Sequence, residues 1–249
     1  MAPPKYIIVV ISLAFTQRNV KPIFRRFFLR AQRHRLFHTS ETEVVPLEHN
    51  ANQIILRGNL QDLPEFSHEN HGKRFYRFCL EVPRLSGAVD ILPVIAESSL
   101  LDSMDPTAGE MITVMGQIRS HNSRENGVRR LLIFVYAGAV LVEDGPPIND
   151  VTVCGPLCKE PVYRRTPLGR EICDVMLAIP RAFHRADYLP CILWGRTARE
   201  VADCHVRDEV TVCGRLQSRL YTKQTEEGPE ERTAYEISAL TAQIHPAAE

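Results

Sequence analysis

A chain of 249 residues, 44% hydrophobic and 24% charged, has room for one or two domains and the composition of an ordinary soluble globular protein. Its formal net charge of zero is a cancellation: residues 1–40 hold eight Lys and Arg and no Asp or Glu, leaving 22 basic against 30 acidic side chains in the rest. This excludes attraction of a polyanion by net charge, so any nucleic-acid site must be a local stripe of Arg on an acidic body. Arg outnumbers Lys 25 to 5, which suits planar, bidentate or stacking contacts.

The first stretch, YIIVVISLAF (6–15), is too short to cross a bilayer. The Arg-rich, acid-free RNVKPIFRRFFLRAQRHRLFHTS that follows reads with it as a disordered or mis-started basic extension over residues 1–48, with an organellar transit peptide as the alternative. The extension reading places the protein in the cytoplasm, at the nucleoid. The transit reading places it in a mitochondrion.

From residue 52 the chain matches itself at an offset of 97. Gly58 falls on Gly155, Pro64 on Pro161, Gly72 on Gly169, VPR (82–84) on IPR (179–181) and DILP (90–93) on DYLP (187–190). One residue of slippage later, GQIRS (116–120) falls on GRLQS (214–218). Two units result, 52–143 and 149–245, joined through VEDGPPIND. In the second, strands are predicted over 150–159, 171–181, 187–194, 208–221 and 232–244. Between the third and fourth, TAREVADCHV reads as a helix with Thr197 and Glu200 in capping-box spacing. Five strands with a helix there give an all-β protein of two tandem OB-fold Greek-key barrels. Gly155 and Gly214 fit the tight bends such barrels require.

Period-2 alternation then assigns faces. In DYLPCILWG, Leu189, Cys191 and Leu193 fill the barrel while Tyr188, Ile192 and Trp194 face out. In VTVCGRLQSRLY, Val210, Val212, Leu216 and Leu220 share the apolar side and Arg215, Gln217, Arg219 and Tyr221 the other. An exposed aromatic row is either a stacking platform for bases or an apolar patch for a protein. The surrounding Arg164, Arg170, Arg181, Arg196, Arg215 and Arg219 favour bases and phosphates, the pairing that single-strand binding uses.

WGRTAREVADCHVRDEVTVCGRLQSRLY resembles the core of bacterial single-stranded DNA-binding proteins, in the form that carries two OB domains. NDVTVCGPLCKEP (149–161), NQIILRGNLQDLP (52–64) and ERTAYEIS (231–238) are similar to the family's first and last strands. The resemblance implies base stacking on Tyr188, Trp194 and Tyr221, with Phe183 near a fourth such place, and backbone tracking by Arg196, Arg215 and Arg219. It implies a homodimer presenting four barrels, single-stranded DNA as partner, and a role in replication, recombination or repair. In the first unit, however, Ile91, Glu97 and Ser123 stand where Tyr188, Trp194 and Tyr221 stand in the second, so that barrel reads as degenerate. The loop QTEEGPEE (224–231) is acidic where a strand-binding loop would be basic. The chain ends TAQIHPAAE, where family members carry an acidic, apolar-tipped tail that recruits replication and repair proteins; those residues do not carry that role over.

Seven cysteines with no C-x-x-C pair favour a reducing compartment and supply no zinc pattern. No phosphate-cradling Gly loop, G-x-S-x-G or H-E-x-x-H is present, so neither an enzyme nor a cofactor is expected. Two other classes remain open beside sequence-tolerant DNA binding. One is a protein-interaction scaffold, for instance an accessory subunit in replication restart; the other is an RNA-binding OB protein.

Overall fold

The computed structural model describes residues 51–245 except 103–105, 126–127 and 226–227, so the basic extension over 1–48 lies outside the described residues. Alternation builds the first strand, β1 (Asn52–Leu60): Ile54, Leu56 and Leu60 are buried while Gln53 and Asn59 face out. The first unit continues with β2 (Glu65–Asn70), β3 (Lys73–Pro83), β4 (Val89–Glu97), β5 (Met111–Glu125) and β6 (Val128–Val142). The second repeats the plan with β7 (Ile148–Pro156), β8 (Val162–Arg165), β9 (Glu171–Arg181), β10 (Arg185–Trp194), helix α1 (Gly195–Ala202), β11 (Glu209–Thr225) and β12 (Gly228–His245).

Each unit closes into a five-stranded barrel of the expected OB order. In the first, β1 pairs with β3 and β5, and β4 runs parallel to β6. In the second, Leu157, just past the end of β7, bridges to Leu177 of β9, and β10 runs parallel to β12. The short strands β2 and β8 are additions at the sheet edges. Their side chains are almost all exposed, so they carry no buried row to read from sequence.

In each barrel the fifth strand bends at a bulge: β6 inserts Gly138 between the partners of Met115 and Gly116, and β12 inserts Leu240 between those of Cys213 and Gly214. A Cβ on Gly116 would stand 2.1 Å from the Tyr136 carbonyl oxygen, and one on Gly214 would stand 2.2 Å from that of Ser238. Just past each bulge an Asn amide satisfies the backbone of the fourth strand. Asn52 bonds the Ile118 backbone at 2.6 and 2.8 Å, and Asn149 bonds that of Leu216 at 2.7 and 2.9 Å.

Three expectations are corrected. The Thr197–Glu200 capping box does not form. Gly195, at φ +55°, turns the chain straight from β10 into α1, so the helix starts earlier and Trp194 stands at its N-cap. Leu220 is 70% exposed, because β11 runs on past the barrel to Thr225 and both its faces meet solvent there. Ile192 points outward but is buried, lying between Asp174 of β9 and Ser238 of β12.

The helix itself differs between units. In the second barrel α1 buries Ala198 and Val201 at the barrel end, next to the buried Cys173. In the first, a single 3₁₀ turn (Ser98–Leu100) stands in its place, and Tyr76 occupies the position of Cys173. The Tyr76 ring meets Phe66 edge-on at 6.1 Å, and the Arg74 guanidinium lies 5.3 and 5.7 Å from the two rings. Leu100 of the turn and Leu101 just past it pack against the first barrel's core.

The two barrels are joined by strand pairing and by a reciprocal exchange of charge. β1 and β7 run antiparallel, with Ile54 opposite Val151 at the centre of the pairing, so the twelve strands form one continuous sheet. Asp90, fully buried, accepts the Ser218 N–H at 2.7 Å from the other barrel, and Arg84 at 2.5 and 2.9 Å from its own. Asp187, also fully buried, accepts the Ser120 N–H at 2.8 Å and Arg119 at 2.9 Å from the other barrel, and Arg181 at 3.3 Å. VPR/IPR, DILP/DYLP and the Ser of GQIRS/GRLQS are therefore the residues of this seam. Their repetition reflects a pseudo-two-fold contact.

Removing one partner of a buried ion pair typically costs about 3–5 kcal/mol. Asp187→Ala strands Arg119, Arg181 and the Ser120 N–H, and a loss of that order is expected in denaturant unfolding. Gly214→Ala drives a Cβ into backbone and is expected to cost about 1–3 kcal/mol in the same assay. Burial pushes the Cys173 thiol up from its ordinary 9.0 to about 11. Its contribution to stability is complete below pH 9 and is lost as the pH rises through about 11. Cys173→Ala should flatten that alkaline decline in pH-dependent unfolding.

Candidate nucleic-acid interface

The outer face of β10 carries the aromatic row. Its register with β9 runs unbroken from Arg185 to Trp194, so no bulge reverses the phase. Leu189, Cys191 and Leu193 are buried in the barrel, while Tyr188 and Trp194 are 41% and 38% exposed. Six residues apart on one face, they stand about 20 Å from each other along the strand. Trp194 is oriented by its indole N–H, which donates to Ser238 Oγ at 3.1 Å. Tyr188 is held from the other barrel, its backbone N–H donating to Ser120 Oγ at 2.7 Å.

Tyr221 lies on the β11–β12 hairpin, opposite Arg232 and 38% exposed. The Arg219 guanidinium sits 5.8 Å from its ring centre. Phe183 is at the tip of the turn between β9 and β10, 90% exposed. Phe183 and His184 both have positive φ, 62° and 54°, a conformation side chains other than Gly rarely adopt. The turn presents the Phe ring to solvent at a backbone cost.

The Arg residues divide into two groups. Arg181 turns to Asp187 at 3.3 Å and Arg215 lies 3.9 Å from Asp90, so both belong to the seam. Arg164 pairs with Asp174 at 2.7 Å, Arg196 with Glu200 at 2.7 Å and Arg219 with Glu236 at 3.8 Å. The guanidiniums of this second group are 51%, 85% and 58% exposed, and such surface pairs are worth about 0–1 kcal/mol. A phosphate can displace the carboxylate at little cost. Arg170 has no ion-pair partner among the described residues. The acidic loop is also partly neutralised, since Glu230 contacts Arg232 at 2.5 Å and Arg130 of the first barrel at 3.4 Å.

Sequence reasoning missed Asp174 and Glu236, which share this outer face with the aromatics. It missed the seam acids too. The i, i+4 spacing of Arg196 and Glu200 was the one pairing a sequence displays. Among the described residues no group of three His, Cys, Asp or Glu side chains could hold a metal, and no helix is long and apolar enough to cross a membrane.

The single-strand binding protein family model matches residues 148–245, the second barrel. Single-stranded DNA-binding protein B of Bacillus subtilis is 39% identical over 87 residues, covering 32% of this chain and 75% of that protein. Single-stranded DNA-binding protein A of the same organism is 36% identical over 84 residues, and there the chain spans 49% of the relative's length. The solved single-stranded DNA binding protein of Thermus aquaticus superposes with a TM-score of 0.63, covering 80% of this chain and 93% of that one. At 20% identity, that likeness is one of fold. With 39% identity across three quarters of a curated relative, carried on a barrel of the same order, the chain belongs to the single-strand binding protein family.

Proposed function

We propose that the chain binds single-stranded DNA with little sequence preference and serves in replication, recombination or repair. Bases stack on Tyr188, Trp194, Tyr221 and Phe183, and Arg164, Arg170, Arg196 and Arg219 exchange solvent or weak surface pairs for phosphates. The observation that carries this reading is the pair of outward aromatics on β10, half-exposed and each oriented by a hydrogen bond to its backbone or ring. Every base offers a π-face, so such a platform tolerates any sequence. Family membership and the names of its relatives support the choice of ligand. Two chains presenting four barrels is the assembly that goes with it. Sedimentation at the dimer mass is expected, and a stable monomer at micromolar concentration would remove that part.

Trp194 is the only tryptophan, so its fluorescence reports this site alone. Oligo-dT should quench it, and duplex DNA should not. Equal quenching by the matching RNA would make the protein a general single-strand binder, and quenching by neither would end the reading. Trp194→Ala and Tyr221→Ala should each weaken binding by about 1–3 kcal/mol.

Salt separates stacking from charge. Single-strand contacts give a log–log salt slope of about −0.7 per neutralised phosphate. Arg196→Gln and Arg219→Gln should each make the slope shallower by about that amount, whereas Trp194→Ala should leave it unchanged. Arg181→Gln should lower the unfolding midpoint with the slope kept. Removal of residues 1–45 serves as control: if affinity and slope both vanish there while Trp194→Ala does nothing, binding belongs to the basic extension.

A further inference from the structure

The first barrel lacks the rings of the second at the matching positions, and its Glu97 is tied to Lys73 at 2.9 Å. Its outer face is not bare, however. Phe75 lies opposite Glu97 in the β3–β4 register, and Tyr136 lies opposite Ile95 in the β4–β6 register. Val94, Ala96, Ile118 and Val135 point inward, fully buried, so Phe75, Tyr136 and Arg119 share the outer face with Ile91 and Glu97.

On that face the rings form a row. His68 of β2 stacks on Phe75 with centroids 4.9 Å apart and planes 12° from parallel. Phe75 stands 6.1 Å from Tyr136, and the Arg119 guanidinium lies 5.9 Å from the Tyr136 ring. Phe75 is the buried floor; His68 is exposed and Tyr136 half-buried. At the corresponding positions the second barrel has Arg165, Ile172 and, by strand register, Ser238, none of them aromatic. The row is therefore particular to the first barrel, and it does not descend from the platform of the second.

The far end of the row meets that platform. Arg119 also bonds Asp187, and the next residue, Ser120, receives the backbone N–H of Tyr188. We propose that His68 and Tyr136, floored by Phe75 and ended by Arg119, are a second base-stacking row that takes a single strand on from Tyr188 across the seam. This rests on the DNA-binding reading given above.

Charge chooses the occupant. The exposed cations Lys73 and Arg77 flank the row, in surface pairs with Glu97 and Glu65 that a phosphate can displace. Rings interleaved with cations suit a single strand, whereas the centre of a protein interface is depleted in Lys.

The test uses the full chain, oligo-dT of increasing length, and Trp194 quenching as the report from the second barrel. One OB barrel covers about 4–16 nucleotides. Oligonucleotides at the short end of that range should bind the His68→Ala/Tyr136→Ala variant and the parent chain alike. Oligonucleotides about twice as long should bind the parent more tightly, and the variant should lose about 10-fold or more of that gain. His68→Phe, which keeps a ring, should behave as the parent, and Ile91→Ala should change neither length class. Should Tyr136→Ala lower the melting temperature, His68→Ala alone carries the comparison, since its side chain is exposed. Equal affinity of variant and parent for the long oligonucleotides would overturn the second row and leave the first platform standing. Absence of Trp194 quenching at every length would remove the DNA-binding reading itself, and the second row with it.

Discussion

A carboxylate with no exposed surface is expensive to fold around unless its oxygens are met by donors. In this protein each such carboxylate, Asp90 and Asp187, has its backbone donor supplied by the opposite barrel. The rest of the architecture follows from that constraint. The fourth strand of each barrel must reach across far enough to place Ser120 or Ser218 against the neighbour's third strand. The fifth strands bulge at Gly138 and Leu240 opposite Gly116 and Gly214, and just beyond, Asn52 and Asn149 satisfy the fourth-strand backbone. The same reach carries Tyr221 out along the hairpin and lets Ser120 fix Tyr188. Binding face and barrel–barrel contact are thus built from adjacent residues of the same strands.

This adjacency explains why a count of Arg residues misleads. Arg84, Arg119, Arg181 and Arg215 serve the fully buried Asp90 and Asp187 at the seam, whereas Arg164, Arg196 and Arg219 sit in exposed pairs. Guanidiniums that look alike in sequence divide by the solvent exposure of their partners. A surface pair opens for a phosphate; a desolvated one does not.

Much of the fold was legible in the sequence because its signals are local. Alternation in DYLPCILWG placed Leu189, Cys191 and Leu193 inside and Tyr188 and Trp194 outside, and the repeat at 97 residues set two barrels. What was not legible depends on distance along the chain. Asp187 meets Ser120 from 67 residues away, and Ser218 meets Asp90 from 128, separations no spacing rule reaches. The repeated Asp, Arg and Ser were visible as matches, but their shared purpose needed the pseudo-two-fold axis at Ile54 and Val151. The row of His68, Phe75 and Tyr136 was hidden for a related reason. Its members come from three strands, and comparison with the second unit pointed only to the rings that the first had lost. The shortened helix of the first barrel was likewise invisible, since the packing of Leu100 and Leu101 against the core shows in no local spacing.

The connection between the barrels has a consequence of its own. Only residues 143–147 separate β6 from β7. A linker that short holds two partners at an effective concentration in the millimolar range. A seam made between separate chains would come apart on dilution and would need two identical halves. Here the second half is always present, so the contact survives any dilution and symmetry is no longer required. One barrel can lose its helix and exchange its aromatic positions while the other keeps both, and the pair still closes.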